Sequence, residues 1–140
     1  MLVPILVFHK IGPVPPETHV RCNYVRPEQF DALLGSLRGA GYEGISFDQY
    51  LAHRRGQGTL LRKPILLTFD DGYKSNAEVA VPILRTHGFT ATIILVPGRL
   101  GGSNAWDADE TQEPRKARVR TICYPWAQHD ATVHQLRFRH

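Results

Sequence analysis

Cysteine is scarce in this chain of 140 residues: Cys22 and Cys123 stand far apart, and neither belongs to a Cys-x-x-Cys or Cys/His spacing. That excludes a thiolate zinc site and a disulfide framework, and leaves both thiols as small apolar packing residues. Long apolar runs are missing too. No stretch approaches the ~18 residues of a membrane-spanning helix. The start, Met1 to His9, lacks a basic leader region, a long apolar core and a small-residue cleavage site. The expectation is a chain that nothing exports or anchors, cytoplasmic if its start is the true one. Acidic residues are few towards the end, where Glu113 and Asp130 alone oppose Arg115, Lys116, Arg118, Arg120, Arg137 and Arg139. This gives the net charge of +4 a basic tail, but no aromatic residues interleave with it and no binding motif accompanies it, so a nucleic-acid partner is not expected. Internal repeats and low-complexity segments are absent.

What is present reads as one folded domain. Apolar residues make up 42% and charged residues 21%, ordinary globular proportions that exclude general disorder. Val3 to Phe8 is a continuous apolar run ended by His9, the pattern of a strand buried on both faces. The prolines and glycine from Gly12 to Pro16, and the polar stretch to Val25, predict a loop over one end of that strand. Pro27 suits a first helical turn, and Phe30, Leu33, Leu34 and Leu37 then form one apolar stripe, closed by a left-handed Gly41. Ile45 starts a brief strand, Phe47 to Leu51 a helical turn, and Arg54 to Thr59 a basic connection. Ile65 to Phe69 is a fully buried strand running into Asp70, Asp71 and Gly72. Ser75 and Glu78 have capping-box spacing for a helix through His87, bent by Pro82 and ended by Gly88. Thr90 to Val96 is a further strand, stopped by Pro97.

Strands alternating with amphipathic helices predict an α/β domain with mainly parallel strands. Sites in such folds gather at the strand C-termini, which puts His9, Asp70, Asp71 and the loop after Val96 on one face. Residues 108–118 form a charged linker without apolar periodicity. Residues 120–126 read as a last short strand, and Ala131 to Leu136 as a helical fragment.

Chemistry concentrates at Asp70 and Asp71. Adjacent carboxylates at the end of a buried strand repel, and one pKa rises unless a cation intervenes. A divalent ion would satisfy one of them and leave the other as a base. Taken alone, Asp-Asp-Gly is more commonly a turn in which Asp70 caps the next helix and Asp71 is solvated. Trp106 and Trp126 sit beside strand-end loops, where flat rings stack on sugars, although core packing is the commoner use of tryptophan.

The longer string Thr68-Phe69-Asp70-Asp71-Gly72, at the end of an apolar strand, resembles the first motif of the polysaccharide deacetylase family, the NodB homology domain. Pro4 to His9 is similar to that family's opening strand, Pro27 to Phe30 with Gly41 and Tyr42 to its first helix, and Gly101 to Asp107 to the loop after its next strand. The resemblance spans residues 3–107 within a single partial domain of residues 1–140. It implies a deformed (β/α) barrel, here incomplete. It also implies hydrolytic removal of acetyl groups from a carbohydrate, a C–N non-peptide bond hydrolysis by metal-activated water. Asp70 would then be the general base and Asp71 a ligand of a divalent transition metal such as zinc. His9 would touch substrate or metal; as an alternative, it hydrogen-bonds the loop at Gly12.

The family completes its metal site with a His-x-x-x-His pair, and no two of the seven histidines here are four apart. Residues 119–136 resemble a later strand-end motif, in which Tyr124, Pro125 and Trp126 would wall the substrate groove. Ala127 replaces the expected glycine there, and only the charged linker stands where the histidine motif belongs. An internal deletion, a gene-model error and a degenerate copy each give this pattern. Two readings of function remain open: a deacetylase short of ligands, holding its metal weakly, and a non-catalytic carbohydrate-binding relative or degenerate gene fragment. An unclosed sheet would also leave edges through which the chain self-associates.

Overall fold

The computed structural model describes residues 2–16, 18, 20–60 and 62–97, together with the backbone of His134–Leu136. The elements run β1 (Ile5–Phe8), β2 (Lys10–Ile11), a 3-10 turn (Arg21–Asn23), β3 (Tyr24–Val25), α1 (Pro27–Gly39), β4 (Glu43–Ile45), α2 (Phe47–Arg54), β5 (Pro64–Phe69), a π-helical turn (Asn76–Ala80), α3 (Val81–His87), β6 (Ala91–Ile93) and β7 (His134–Leu136). The predicted linker 108–118 and strand 120–126 lie outside the described residues.

β5 is the hub of the sheet. β1 pairs parallel along one of its edges from Ile5↔Leu66 to Phe8↔Phe69. On the other edge β4 pairs with Pro64 to Leu66 and β6 with Thr68 and Phe69, both parallel. β4 and β6 therefore share one edge end to end, and Gly44 makes room for this: a Cβ there would lie 2.8 Å from the Thr90 nitrogen. β7 adds antiparallel to β6. The fold is thus mixed α/β with parallel central strands, as the alternation predicts. Residues 134–136 are strand, however, not the predicted helical fragment. Three residues pairing with a preformed edge need little strand propensity of their own.

Each helix forms for a local reason. Pro27 opens α1, and Phe30 and Leu34 bury completely while Leu33 and Leu37 pack partly against the core. α2 reaches Arg54, further than the predicted turn, because Ser46 and Gln49 form a reciprocal capping box: the Gln49 nitrogen donates to Ser46 Oγ at 3.2 Å and the Ser46 nitrogen to Gln49 Oε1 at 2.8 Å. The box predicted at Ser75 and Glu78 does not form. Ser75 Oγ instead accepts from the Ile11 nitrogen at 3.3 Å, and Glu78 pairs with Lys74 at 3.0 Å. Pro82 sits in the first turn of α3 directly after the π-helical turn; the wide turn accommodates a residue that cannot donate to the ladder. Gly88 ends α3 in the left-handed conformation, φ +68°, as predicted.

The core lies between the sheet and α1 with α3. Phe8, Phe30 and Phe69 form a three-ring cluster with centroids 5.2, 5.3 and 5.8 Å apart. Such pairs contribute about 0.5–1.5 kcal/mol beyond the area they bury. The cluster anchors the ends of β1 and β5 immediately before His9 and Asp70. β1 does not bury both faces as predicted: Phe8 is buried, but Ile5 and Val7 are 46% and 55% exposed. Among the described residues β1 pairs with β5 alone, and the pleat turns alternate side chains, Ile5 and Val7, away from Phe8's face.

Candidate functional site

Asp70 begins where β5 ends; two backbone hydrogen bonds hold that strand end and a third holds the segment beside it. The Asp70 nitrogen donates to the Phe8 carbonyl at 2.8 Å, the Ile94 nitrogen donates to the Phe69 carbonyl at 2.8 Å, and the Gly12 nitrogen ties the neighbouring segment to Val25 O at 2.9 Å. Because Phe8 pairs with Phe69, His9 comes level with Asp70. The chain then turns through two left-handed residues, Asp71 at φ +68° and Gly72 at φ +64°. At Gly72 that backbone calls for glycine, and an added Cβ would also meet Leu95 Cδ2, the end of a side chain that would have to turn aside. A non-glycine residue such as Asp71 in this region costs about 1–3 kcal/mol and persists where the surroundings over-determine it.

The electrostatics single out Asp70. Its Oδ1 is buried without a hydrogen-bond partner. Burial pushes the carboxyl above the ordinary aspartate range; the charge of nearby His9 opposes the rise, and that of Asp71 adds to it. A desolvated, unpartnered carboxylate is a stronger base than one in water and is available to accept a proton from a bound group. Asp71, the neighbouring carboxylate, has an interaction of its own.

Of the residues singled out in the sequence, His9, Asp70 and Asp71 meet at this strand end. Trp106, Tyr124, Pro125 and Trp126 lie outside the described residues. Sequence reasoning missed Lys10, Tyr24 and Tyr73. Lys10 Nζ lies 4.7 Å from the centroid of each tyrosine ring and donates to Tyr24 Oη at 3.2 Å. A lysine at 7% exposure leaves no periodic trace in a sequence; its place directly after His9 was the one signal. Asn76 was missed as well: it is 1% exposed, with neither amide atom hydrogen-bonded, in the π-helical turn that follows the acids.

Among the described residues the donors at this strand end fall short of a catalytic metal site. Among the described residues no group of three His, Cys, Asp or Glu side chains stands close enough to hold an ion, whereas a catalytic zinc takes three protein ligands. A cavity of about 300 Å³ lined by Leu2, Val3, Tyr50, His53 and Arg54 lies at the other end of the sheet, away from the acids. No described helix is long and apolar enough to cross a membrane.

Comparison with known proteins points one way. The model of the polysaccharide deacetylase family matches residues 57–113. Among curated proteins, "Putative polysaccharide deacetylase YxkH" of Bacillus subtilis is 27% identical over 111 residues, covering 79% of this chain and 38% of that protein. Among solved structures, the Streptococcus pyogenes deacetylase PplD, in complex with acetate, superposes with a TM-score of 0.61 at 30% identity, over 69% of this chain and 43% of that one. IcaB from Ammonifex degensii superposes at 0.63 with 23% identity, over 72% and 41%, a likeness of fold. The chain thus spans under half the length of each.

Proposed function

We propose that this chain, a relative of the polysaccharide deacetylases in sequence and in fold, carries the acid-pair segment of a site that removes acetyl groups from a carbohydrate. The observation behind the reading is the buried, unpartnered Oδ1 of Asp70 at the end of a parallel strand, beside a second carboxylate and an imidazole. Asp70 is the general base: its raised affinity for a proton suits it to take one from an attacking water. Asp71 is the carboxylate offered to a divalent transition metal, and His9 contacts substrate. Trp106, Tyr124, Pro125 and Trp126 complete the sugar-contacting wall. The acetate bound in the PplD structure is the product that such a reaction releases.

The short donor set limits what the chain does unaided. It holds zinc, nickel or cobalt weakly and releases little acetate from N-acetylglucosamine oligomers. Calorimetric titration with the three metals and an acetate-release assay test this directly. Asp71→Ala should abolish the weak binding, whereas Asp70→Asn should spare it and remove any residual hydrolysis. Robust acetate release by the parent chain, or parent-like metal binding by Asp71→Ala, overturns the assignment. The same short donor set favours a second reading, carbohydrate binding without turnover, whose sign is saturable oligosaccharide binding with no acetate released. Exposed Ile5 and Val7 on β1 support self-association, to be read by sedimentation.

A further inference from the structure

We infer that Lys10 is a positioning residue for the acid pair: its buried side chain, held against Tyr24 and Tyr73, clamps the far side of the Asp70–Gly72 turn to the β2–β3 pair. The inference rests on the deacetylase reading only for what the turn carries; the clamp itself stands on geometry.

The turn is held at two points. At its start the Asp70 nitrogen bonds the Phe8 carbonyl at 2.8 Å. At its finish Tyr73 is 3% exposed, with Lys10 Nζ 4.7 Å from its ring centroid and equally far from that of Tyr24. Lys10 is fixed in turn by the β2–β3 register, which pairs it with Tyr24, and by its 3.2 Å hydrogen bond to Tyr24 Oη. An ammonium taken from water needs compensation, and the faces of two aromatic rings contribute to it more strongly in a desolvated place than at a surface. Between the two anchors lies Asp71 in a left-handed conformation, φ +68°, which has no steric freedom of its own to remain there. Releasing Tyr73 lets the turn relax and carries the Asp71 carboxylate away from Asp70 and His9. His9 and Lys10, consecutive at one strand end, therefore act on the same turn: the first on its charge, the second on its shape.

Amide hydrogen exchange on the intact chain, resolved by NMR, tests the clamp. Lys10→Met keeps an apolar stem and removes the charge; exchange at Asp70 and Asn76, whose amides donate to the Phe8 and Tyr73 carbonyls at the two ends of the turn, should accelerate about tenfold while Leu66 and Leu67 in β5 keep their parent rates. Tyr73→Phe, which keeps the ring face, should loosen the turn less than Tyr73→Leu, and Tyr73→Leu should match Lys10→Met. Uniform acceleration across β5 and the turn, or unchanged exchange in the turn, overturns the proposal. If Lys10→Met fails to fold, equal exchange in Tyr73→Phe and Tyr73→Leu overturns it by itself. Manganese(II) added to the same samples should broaden the Asp71 amide in the parent, and Lys10→Met should need several-fold more of the ion. Parent broadening that is absent, beside the expected exchange pattern, upholds the clamp and counts against the deacetylase reading alone.

Discussion

β1 and β5 are hydrogen-bonded neighbours of similar apolar composition, yet they live in different surroundings. Every residue of β5 is buried, whereas in β1 only Phe8 is. β5 is flanked by β1 on one edge and by β4 and β6 on the other, and α1 and α3 cover one of its faces. β1 has a partner on one edge among the described residues, and its Ile5 and Val7 turn away from Phe8's face. Burial here follows position in the sheet, not the hydrophobicity of the segment. The strand ends differ in the same sense: β5 delivers a carboxyl whose Oδ1 is cut off from water, and β1 a half-buried imidazole.

The largest expected effect sets the two strands against each other. Phe69→Ala removes one ring of the three-phenylalanine cluster and should cost about 3–5 kcal/mol in urea unfolding. Val7→Thr in β1 should stay within about 0.5 kcal/mol. A cost for Val7→Thr comparable to that of Phe69→Ala would break the comparison and show that this face of β1 is covered in solution.

A middle-sized effect lies just past β5. Gly72→Ala should destabilise by about 1–3 kcal/mol, from the left-handed backbone and the approach of Leu95. Gly39→Ala, in α1 with nothing within 4 Å of the added methyl, should gain up to about 1 kcal/mol. Adding Leu95→Ala to Gly72→Ala separates the contact from the backbone strain: recovery in the double variant assigns the loss to contact.

The smallest effect is a slope. Burial raises the folded-state pKa of Asp70, so the folded chain holds that proton more tightly than the unfolded chain. The stability this contributes is complete below the ordinary aspartate value and is lost as pH rises through the raised one. Asp70→Asn should flatten this part of the stability profile and leave the protein no less stable at neutral pH. Removing the imidazole with His9→Gln should steepen it, since His9 is the group that opposes the shift. Urea midpoints from about pH 3 to about pH 7 read both, and an unaltered slope in Asp70→Asn would assign it to another carboxyl.

Much of this architecture was legible in the residues. Phe30, Leu33, Leu34 and Leu37 announce α1 because helical periodicity is a property of neighbours in sequence, and the apolar run ending in Asp70 and Asp71 announces β5 and its site in the same way. Gly41 and Gly88 adopt the left-handed backbone expected of them, since that freedom belongs to glycine itself. Where two local uses of a side chain compete, sequence alone does not choose. Ser75 has capping-box spacing but takes the Ile11 nitrogen, a partner 64 positions away that exists only after β2 has docked. The same holds for β1, whose exposed face depends on what flanks it, and for residues 134–136, which become strand by pairing with β6. The acids, their turn and the parallel α/β plan were determined by sequence, because strand, helix and turn preferences act over a few residues. The burial of Lys10 between Tyr24 and Tyr73, and the desolvation that raises the pKa of Asp70, were decided by tertiary structure, because both come from segments that meet only when the chain folds.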